Sequence, residues 1–315
     1  MSSPTLTIFT APKPFKDPHI SIIQYNAIQS WKELGSDVDI ILIGDEYGVQ
    51  DVAKEMDVHF SGSVKRNEKG TPLISSIFNL GRGLNQSPLL AYINADILIF
   101  SDFLETAITV SKNVKRFLLV GQRWDLNIDH RIDFSNGWAE LIKTKSKTSG
   151  KLHSRAGSDY FIYPRDCFKS VPDFAVGRAG WDNWMFYEAR KNNWACIDAT
   201  KSIQIIHQNH DYSHLPDGQP HYRLPETNVN IRLAGGKRTI FTLMDVNFMV
   251  ENSRIQKIPL NWEKFWREVE IFPLITLKSK WLANLFFAIL HPQKAITEVR
   301  TWYSSKKRKD RKNYA

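Results

Sequence analysis

The sequence predicts an α/β fold, in which helices flank a mostly parallel sheet, followed by a C-terminal helical extension. In about the first hundred residues, short apolar runs rich in β-formers alternate with stretches whose apolar residues recur every three or four positions. The connections are short, as in sheets whose parallel strands are joined by helices. With 42% hydrophobic residues among 315, the chain can bury one large core. We predict one large domain over 1–250 and an aromatic, basic extension over 251–315.

The first elements are a strand, a helix and a strand. Residues 6–10 are β-rich and precede a loop with two prolines, which cannot continue a strand ladder. Apolar residues between 20 and 34 recur at steps of three and four, which predicts an amphipathic helix. The apolar run 38–43 is typical of a strand covered on both faces.

The alternation continues through a short helix, a short strand and a longer helix to residues 89–100, the most strand-like run of the chain. Beyond residue 115 the pattern is mixed. Ligands of parallel sheets bind beyond the carboxyl ends of the strands, which directs attention to 10–14, 45 and 94–96. We predict further strands at 117–121, 158–163 and 202–207, and helices at 182–191 and 225–236.

Two polar residues, Asn94 and Asp96, interrupt the apolar run 89–100. If the strand extends through them, their side chains point to the same face, because side chains alternate along a strand. Asp96 either caps the following turn or binds a metal ion that faces a diphosphate, since hard divalent cations take oxygen ligands. The residues alone leave both interpretations open.

The segments Ser75–Gly81 and Tyr92–Asp96, in this order of strands, resemble glycosyltransferases of the GT-A (nucleotide-diphospho-sugar transferase) fold. The resemblance implies a Rossmann-like sheet and a divalent metal, Mn²⁺ or Mg²⁺, bound with the donor diphosphate by an Asp-x-Asp motif. Asn94 replaces the first acid of that motif, whereas Asp96 retains the metal-binding position. The resemblance therefore implies donor-binding roles for Asn94 and Asp96.

The same resemblance implies further donor contacts. Thr10 matches the first-strand contact, and Asp45 matches the acidic residue that binds the base; an Asp in such a turn is also common without any ligand. An Arg-Asn pair of the family is Phe78-Asn79 here, so that only Asn79 is retained. Arg82, one turn later, either substitutes for the missing arginine or lies in solvent.

A second group of candidates begins the helix at 182–191. Tryptophans flank Asp182, and their faces suit the stacking of sugar rings, so Trp181 and Trp184 are candidate acceptor contacts. Asp182 either caps the helix or, as the resemblance implies, acts as the base that deprotonates the acceptor hydroxyl. Asp159 matches the segment that lines the acceptor side of such enzymes, and it is an acceptor-binding candidate or a turn residue.

A third group is the histidine-rich run 207–214. Its spacings lack the helix or the cysteine partners of a dedicated zinc site. GT-A enzymes often bring a late histidine to the metal, which makes His207 the first metal-ligand candidate and His210 the second. Either histidine also fits an ordinary loop residue.

The distribution of charge and the spacing of the cysteines exclude several functional classes of protein. The net charge is +9, and residues 291–315 hold eight Lys/Arg and two acids, a net +6, so the rest carries only +3. This distribution is typical of a solvated tail or one drawn to anionic lipid, rather than of a nucleic-acid-binding protein. Cys167 and Cys196 have no disulfide or zinc spacing.

The two ends of the chain bear on location. The N-terminus has no secretory signal pattern, and we therefore expect the cytoplasm. The apolar stretch 271–290 contains a proline and two lysines and fails the test for a spanning helix. It either packs on the domain or lies at the inner face of the membrane.

Together these features predict a metal-dependent glycosyltransferase that moves a sugar from a nucleotide-diphosphate donor to a hydroxyl of a saccharide or lipid-linked acceptor. A sugar-nucleotide pyrophosphorylase is disfavoured, because the segment after the first strand has no glycine-rich phosphate-binding sequence. The alternative is a weakly active or inactive GT-A-fold protein that binds carbohydrate, which the loss of the acid at Asn94 motivates.

Overall fold

The computed structural model describes residues 4–210 and 224–313. The chain divides between Ile258 and Pro259 into two compact units, which are described separately. The predicted boundary after residue 250 falls inside a strand of the first unit.

The first unit contains thirteen strands and seven α-helices within its described residues. They are β1 Leu6–Thr10, α1 Pro18–Lys32, β2 Val38–Ile43, α2 Val49–Glu55, β3 His59–Ser61, α3 Ile74–Gly83, β4 Leu89–Ile93, β5 Ile97–Leu98, α4 Ser101–Asn113, β6 Phe117–Val120, β7 Trp124–Leu126, α5 Trp138–Ser149, β8 Lys151–Leu152, β9 Tyr160–Pro164, α6 Trp181–Lys191, β10 Ala195–Asp198, β11 Ile206–Gln208, α7 Pro225–Ala234, β12 Phe248–Glu251 and β13 Arg254–Lys257.

A nine-stranded sheet forms the centre of this unit, in the order β13-β12-β10-β6-β9-β4-β1-β2-β3. Parallel pairs join β1 to β2 and to β4, β2 to β3, and β10 to β6 and to β12. Only β9 and the edge strand β13 run antiparallel to their neighbours in this sheet. Helices join the parallel strands, and the predicted α/β class with a mostly parallel sheet is confirmed.

The central strands are buried because apolar side chains cover both faces. On one face Trp31 of α1 is fully buried, and its Nε1 donates a hydrogen bond of 2.9 Å to the carbonyl of Ile97. On the other face α3 approaches β1 so closely that a Cβ at Gly81 would lie 2.5 Å from the Phe9 ring. Only glycine allows that approach.

A second, four-stranded sheet has the order β5-β11-β7-β8. It exists because the predicted strand 89–100 is not continuous. β4 ends at Ile93, residues 94–96 turn, and the chain resumes as β5 in a different sheet. The prediction of one strand through Asn94 and Asp96 is therefore wrong, and their side chains need not share a face.

The second unit consists of α8 Trp262–Ile275, α9 Lys280–Leu290 and α10 Pro292–Asn313. The side chains of Asn261 and Ser279 cap the N-termini of α8 and α9 by accepting hydrogen bonds from backbone amides. In the described part of the chain, no helix is both long enough and apolar enough to cross a membrane.

Candidate functional site

The candidate site lies where the chain reverses its direction across the central sheet. From β1 the chain first adds β2 and β3 on one side, and then returns to add β4 on the other side of β1. Such a reversal leaves a crevice beyond the carboxyl ends of β1 and β4, the usual ligand site of open α/β sheets. The loop after β1 carries Lys13, and the turn after β4 carries Asp96.

Three potential metal ligands meet at this crevice. One ligand atom each of Asp96, His207 and His210 lies within 4.8 Å of the others. The small sheet creates this arrangement, because β11 pairs antiparallel with β5 and places His207 opposite Ile97, next to Asp96. The backbone amide of Gln208 also donates to the carbonyl of Asp96, at 3.2 Å. His214 of the predicted histidine run lies outside the described residues.

Asp96 is a buried carboxylate among cationic and imidazole groups. Its Oδ2 lies 3.1 Å from His210 Nε2 and 3.6 Å from Lys13 Nζ. Burial alone would raise the pKa of Asp96, but the hydrogen bond with His210 and the charges of His207 and Lys13 hold it well below its usual range. Its Oδ1 is buried and has no hydrogen-bond partner among the described residues.

Asp125 lies beside His207 at ion-pair distance. The parallel pairing of β11 with β7 places the two residues opposite each other, with His207 Nδ1 3.2 Å from Asp125 Oδ1. Asp125 also contacts Arg123 and His153, each at 2.8 Å. Burial opposes ionisation, yet these partners hold the pKa of Asp125 below its usual range. The Nδ1 atom makes no hydrogen bond among the described residues, so Asp125 acts on His207 as a nearby charge; a proton on Nδ1 would leave Nε2 available for a metal.

These residues fit a divalent metal ion. A carboxylate and two imidazoles supply three ligands, and the unpartnered Oδ1 of Asp96 is a buried acceptor that a cation would satisfy. Asp125 provides the outer carboxylate that commonly accompanies a ligating histidine. The structure thus brings together the three residues that the sequence analysis named as metal ligands.

Lys13 is a site residue that the sequence analysis did not name. Its Nζ lies 3.0 Å from His210 Nε2, beside Asp96. Desolvation by burial lowers the pKa of Lys13, although Asp96 acts in the opposite direction. The available signal was its position in the loop after the first strand, at the predicted ligand edge.

Asn94 and Asp159 face each other beside this cluster. The side-chain Nδ2 of Asn94 donates to Asp159 Oδ1 at 2.9 Å, and the backbone N–H of Asn94 donates to the backbone carbonyl of Asp159 at 2.9 Å. Arg123, also missed by the sequence analysis, donates to the same carboxylate oxygen at 2.8 Å. The structure therefore ties Asn94 to Asp159 and does not include it among the metal ligands.

Asp182 lies in the first turn of α6, where the positive end of the helix dipole favours a carboxylate. Its Oδ1 accepts a hydrogen bond of 3.2 Å from the Gly180 amide. Its Oδ2 lies 3.5 Å from where a Cβ at Gly157 would stand, which places Asp182 against the loop that leads to Asp159. Asp182 thus makes a local contact at the start of the helix and also lies near the ligand edge of the sheet, so both interpretations of this residue have a structural basis.

The two tryptophans beside Asp182 are core residues. Trp181 is 7% exposed and packs edge-on against Tyr92 at 5.0 Å, and Trp184 is 5% exposed and packs against Phe174 at 5.5 Å. Neither side chain presents a face on which a sugar ring can stack. Their predicted acceptor-binding role is corrected to hydrophobic packing, because the aromatic ring cluster on this face of the sheet takes up both indoles.

Thr10 and Asp45 lie at the carboxyl ends of β1 and β2. Thr10 is buried, and its Oγ1 has no hydrogen-bond partner among the described residues. Asp45 is exposed and forms an ion pair with Arg66, which lowers the pKa of Asp45 chiefly through their hydrogen bond. Arg66 also pairs with Glu46 at 2.8 Å. Both predicted residues lie at the ligand edge, and their roles stay predictions.

Asn79 and Arg82 lie on α3 and are not brought to the cluster. Asn79 is exposed in the middle of the helix. Arg82 donates to the carbonyls of Arg165, Cys167 and Phe168, close to where Leu89 begins β4. That is the opposite edge of the sheet from Asp96, so the guanidinium acts as a structural crosslink rather than as a substitute for the missing arginine.

Comparison with known proteins gives a limited result. No protein-family model matches the sequence, and no curated protein sequence matches it. The crystal structure of S. aureus TarS 1–349 aligns with a TM-score of 0.39 at 11% identity, over 65% of this chain and 58% of that one. The same fragment in complex with UDP-GlcNAc aligns with a TM-score of 0.46 at 11% identity, over 73% and 65%. The chain thus spans less than two thirds of either structure, and likeness at this level carries no inference about activity.

Proposed function

We propose that this protein is a metal-dependent glycosyltransferase that transfers a sugar from a nucleotide-diphosphate donor to a hydroxyl of a saccharide or lipid-linked acceptor. One observation carries the proposal. A buried carboxylate with an unpartnered oxygen, Asp96, lies with two histidines at the crevice where β1 and β4 end. That is the position and the chemistry that the resemblance to GT-A enzymes implies for the donor diphosphate.

The metal would be held by Asp96, His207 and His210, with Asp125 beside His207. A bound divalent ion neutralises the negative charge that develops on the leaving diphosphate. Imidazole ligands suit first-row transition metals, whereas Mg²⁺ prefers oxygen. The donor set therefore favours Mn²⁺ over Mg²⁺.

The donor is bound, in this proposal, by groups along the same edge of the sheet. Lys13 offers an ammonium beside Asp96 that suits a phosphate oxygen. Thr10 offers a buried hydroxyl with an open hydrogen-bonding capacity, and Asp45 lies at the end of the neighbouring strand for the nucleotide. Asn79 lies in the middle of α3 and not at this edge, so its donor-binding role rests on the resemblance alone.

We assign the base to Asp182. Its carboxylate would take the proton of the acceptor hydroxyl as the hydroxyl oxygen bonds to the anomeric carbon. The bond from that carbon to the diphosphate oxygen breaks, and its electron pair leaves with the nucleoside diphosphate. Asp159 lies between Asn94 and Arg123, and it would position the acceptor through this fixed network.

A carbohydrate-binding protein without turnover is the second candidate. Lys13 already places a positive charge beside Asp96, so the buried carboxylate is compensated in the absence of a metal. A site balanced in this way could bind a ligand without any metal-assisted transfer. Nucleotide-sugar binding with no release of free nucleotide would favour this candidate.

The location is part of the proposal. We expect the protein in the cytoplasm, with its basic C-terminal residues near an anionic membrane surface, since residues 291–315 carry a net +6 from eight basic and two acidic residues. Nucleic acid is not among the expected partners.

The test uses the full chain with UDP, GDP, dTDP and CMP, with and without Mn²⁺, and follows both thermal stability and release of nucleotide from the corresponding sugars. We expect one nucleoside diphosphate to stabilise the protein only with Mn²⁺. Asp96→Asn should remove that effect. Asp102→Asn, which changes a carboxylate of α4 that pairs with Lys143, should keep it. If no nucleotide stabilises the wild-type chain with any divalent ion, the donor-binding proposal is rejected.

A further inference from the structure

The second unit exposes a continuous apolar helix face. On α9, Trp281, Leu285 and Ile289 follow each other at steps of four and therefore lie on one side of the helix. Trp281 is 71% exposed and Ile289 66%. We refer to these three residues as the α9 face. The opposite side of the helix is the buried one, with Ala283 and Phe287.

Large apolar side chains are also exposed on the two neighbouring helices. At the start of α8 three aromatic rings contact each other, with the indoles of Trp262 and Trp266 5.5 Å apart in an edge-to-face arrangement. Soluble proteins rarely leave so many large apolar residues uncovered on a small unit. The further exposed residues are Phe265, Phe272, Ile296, Val299 and Tyr303 on these helices, and Leu277 between α8 and α9.

The charge of the unit decides which partner fits this surface. Residues 259–315 contain twelve Lys/Arg and five Asp/Glu, a net +7 of the +9 carried by the whole chain. Lys278 and Lys280 stand at the beginning of α9, and Lys294 and Arg300 are exposed on α10. A second copy of this unit would carry the same net charge of +7, and the like charges would oppose the association of two copies.

A nucleic acid complements the charge but offers no apolar surface for the α9 face. An anionic bilayer satisfies both requirements, because an amphipathic helix buries its apolar side at the boundary of headgroups and acyl chains while basic residues contact the lipid phosphates. Tryptophan is the residue best suited to that boundary, since its ring is apolar and its N–H is polar. None of the helices in the described residues can span the bilayer instead.

We propose that helices α8 to α10 form a docking surface for anionic lipid bilayers, with the α9 face inserted at the headgroup boundary. The proposal identifies apolar helix residues, and not only the basic tail, as the source of membrane affinity. It does not depend on whether the first unit transfers sugars.

The experiment is vesicle flotation of the full chain with two lipid compositions, phosphatidylcholine alone and phosphatidylcholine mixed with phosphatidylglycerol. We expect partitioning into the mixed vesicles and little into the neutral ones. Replacing the α9 face with glutamines (Trp281→Gln, Leu285→Gln, Ile289→Gln) should weaken partitioning at least about tenfold, because three large apolar groups no longer enter the lipid.

Two further variants separate the contributions. Leu141→Gln removes an equally exposed leucine from α5 of the first unit and should leave flotation unchanged. Lys294→Glu with Arg300→Glu reverses two exposed charges on α10, and it should weaken binding to the mixed vesicles at least about tenfold. Circular dichroism of each variant shows whether the helices persist, and all of the replaced residues are solvent-exposed.

Three outcomes would overturn the proposal. The first is an absence of wild-type flotation with either composition. The second is equal flotation with neutral and anionic vesicles, which would remove the role of the charge. The third is a wild-type dimer that the α9-face variant converts to a monomer without any vesicle binding, which would assign the surface to a second copy. Donor-nucleotide binding is measured on the same preparations, so that loss of the proposed activity is distinguished from loss of membrane binding.

Discussion

His207 and Asp125 are cross-strand partners, and the Nδ1 atom of His207 lies 3.2 Å from Asp125 Oδ1. The contact places the charge of Asp125 beside the ring of a metal-ligand candidate, and we expect that charge to favour the ring with a proton on Nδ1. We predict that Asp125→Asn lowers Mn²⁺ affinity about 10- to 100-fold, the usual effect of removing such an outer carboxylate. Isothermal titration with Mn²⁺ measures the change directly.

The control for this variant is His153→Gln, which removes another partner of the same carboxylate without touching His207. It should lower the affinity by less than Asp125→Asn does. Equal losses in the two variants would show that the network as a whole, and not the charge beside His207, sets the affinity.

Lys13 competes with a metal for the same acceptor groups. Its Nζ contacts His210 Nε2 at 3.0 Å and lies 3.6 Å from Asp96 Oδ2. Lys13→Gln should therefore raise the affinity for Mn²⁺ in the absence of nucleotide, since one positive charge leaves the site. It should lower the affinity for a nucleoside diphosphate, because a phosphate partner is lost.

Titrations with metal alone and with nucleotide in saturating metal separate these two effects. Lys16→Gln is the matched control, because Lys16 is an exposed residue three positions later whose ammonium lies over the Tyr47 ring. A Lys13→Gln variant in which both affinities fall together would contradict the competition.

Glu226 gives the protein a pH-dependent contribution to stability. It accepts hydrogen bonds from Asn67 at 2.6 Å and from Arg178 at 3.0 Å. Burial raises its pKa, but hydrogen bonds from Asn67, Thr71 and Arg178 outweigh this and lower the pKa overall. A depressed folded-state pKa stabilises the protein above the unfolded pKa, about 4.3, and the stabilisation is lost as the pH falls below it.

We expect Glu226→Gln to reduce the free energy of unfolding by about 2 kcal/mol at pH 7. The difference from wild type should shrink as the pH falls below about 4, where the wild-type carboxylate becomes protonated. Urea unfolding at pH 7 and at a pH below about 4 measures this difference in the free energy of unfolding. Glu251→Gln, which breaks a more exposed pair with Lys201, should cost less than about 1 kcal/mol. If the stability difference between wild type and Glu226→Gln did not change with pH, the stabilising role of the ionised carboxylate would be contradicted.

The burial of Trp184 predicts a loss of stability and not of ligand binding. Trp184→Ala removes a large side chain packed against Phe168 and Phe174 and should cost about 3–5 kcal/mol. The donor affinity of the folded fraction should be unchanged. Trp262→Ala, at an exposed position on α8, should change stability by less than about 0.5 kcal/mol. A stable Trp184→Ala variant with weakened acceptor binding would restore the stacking role.

The fold class was accessible from the sequence because it depends on local patterns, whereas the candidate metal ligands followed from the resemblance to GT-A enzymes. Strand and helix periodicities are local, and the α/β alternation fixes where strand ends meet. Asp96 stood out as a carboxylate in an apolar run, and His207 as a polar residue at a strand end. The three ligand candidates indeed meet in the structure.

The remaining parts of the site depend on contacts between distant segments, which no local pattern encodes. The turn at 94–96 separates β4 from β5, and it moves Asn94 towards Asp159 and Asp96 towards the histidines. Arg123 and Lys13 reach the site only through tertiary packing. The residues next to Trp181 in the sequence do not show whether its side chain faces solvent or the core. Its contact with Tyr92 in the aromatic cluster shows that it faces the core.

The small sheet has a consequence for how the chain reaches its native state. Gln208 and Asp96 are 112 positions apart, and β11 must pair with both β5 and β7 before Asp96, His207 and Asp125 are adjacent. Closing so long a loop is entropically costly and belongs to the slow contacts of folding. A ligand that binds only the closed arrangement would stabilise the native state in proportion to its affinity and concentration. Uptake of Mn²⁺ by newly refolded chains would then mark the moment at which the small sheet has formed.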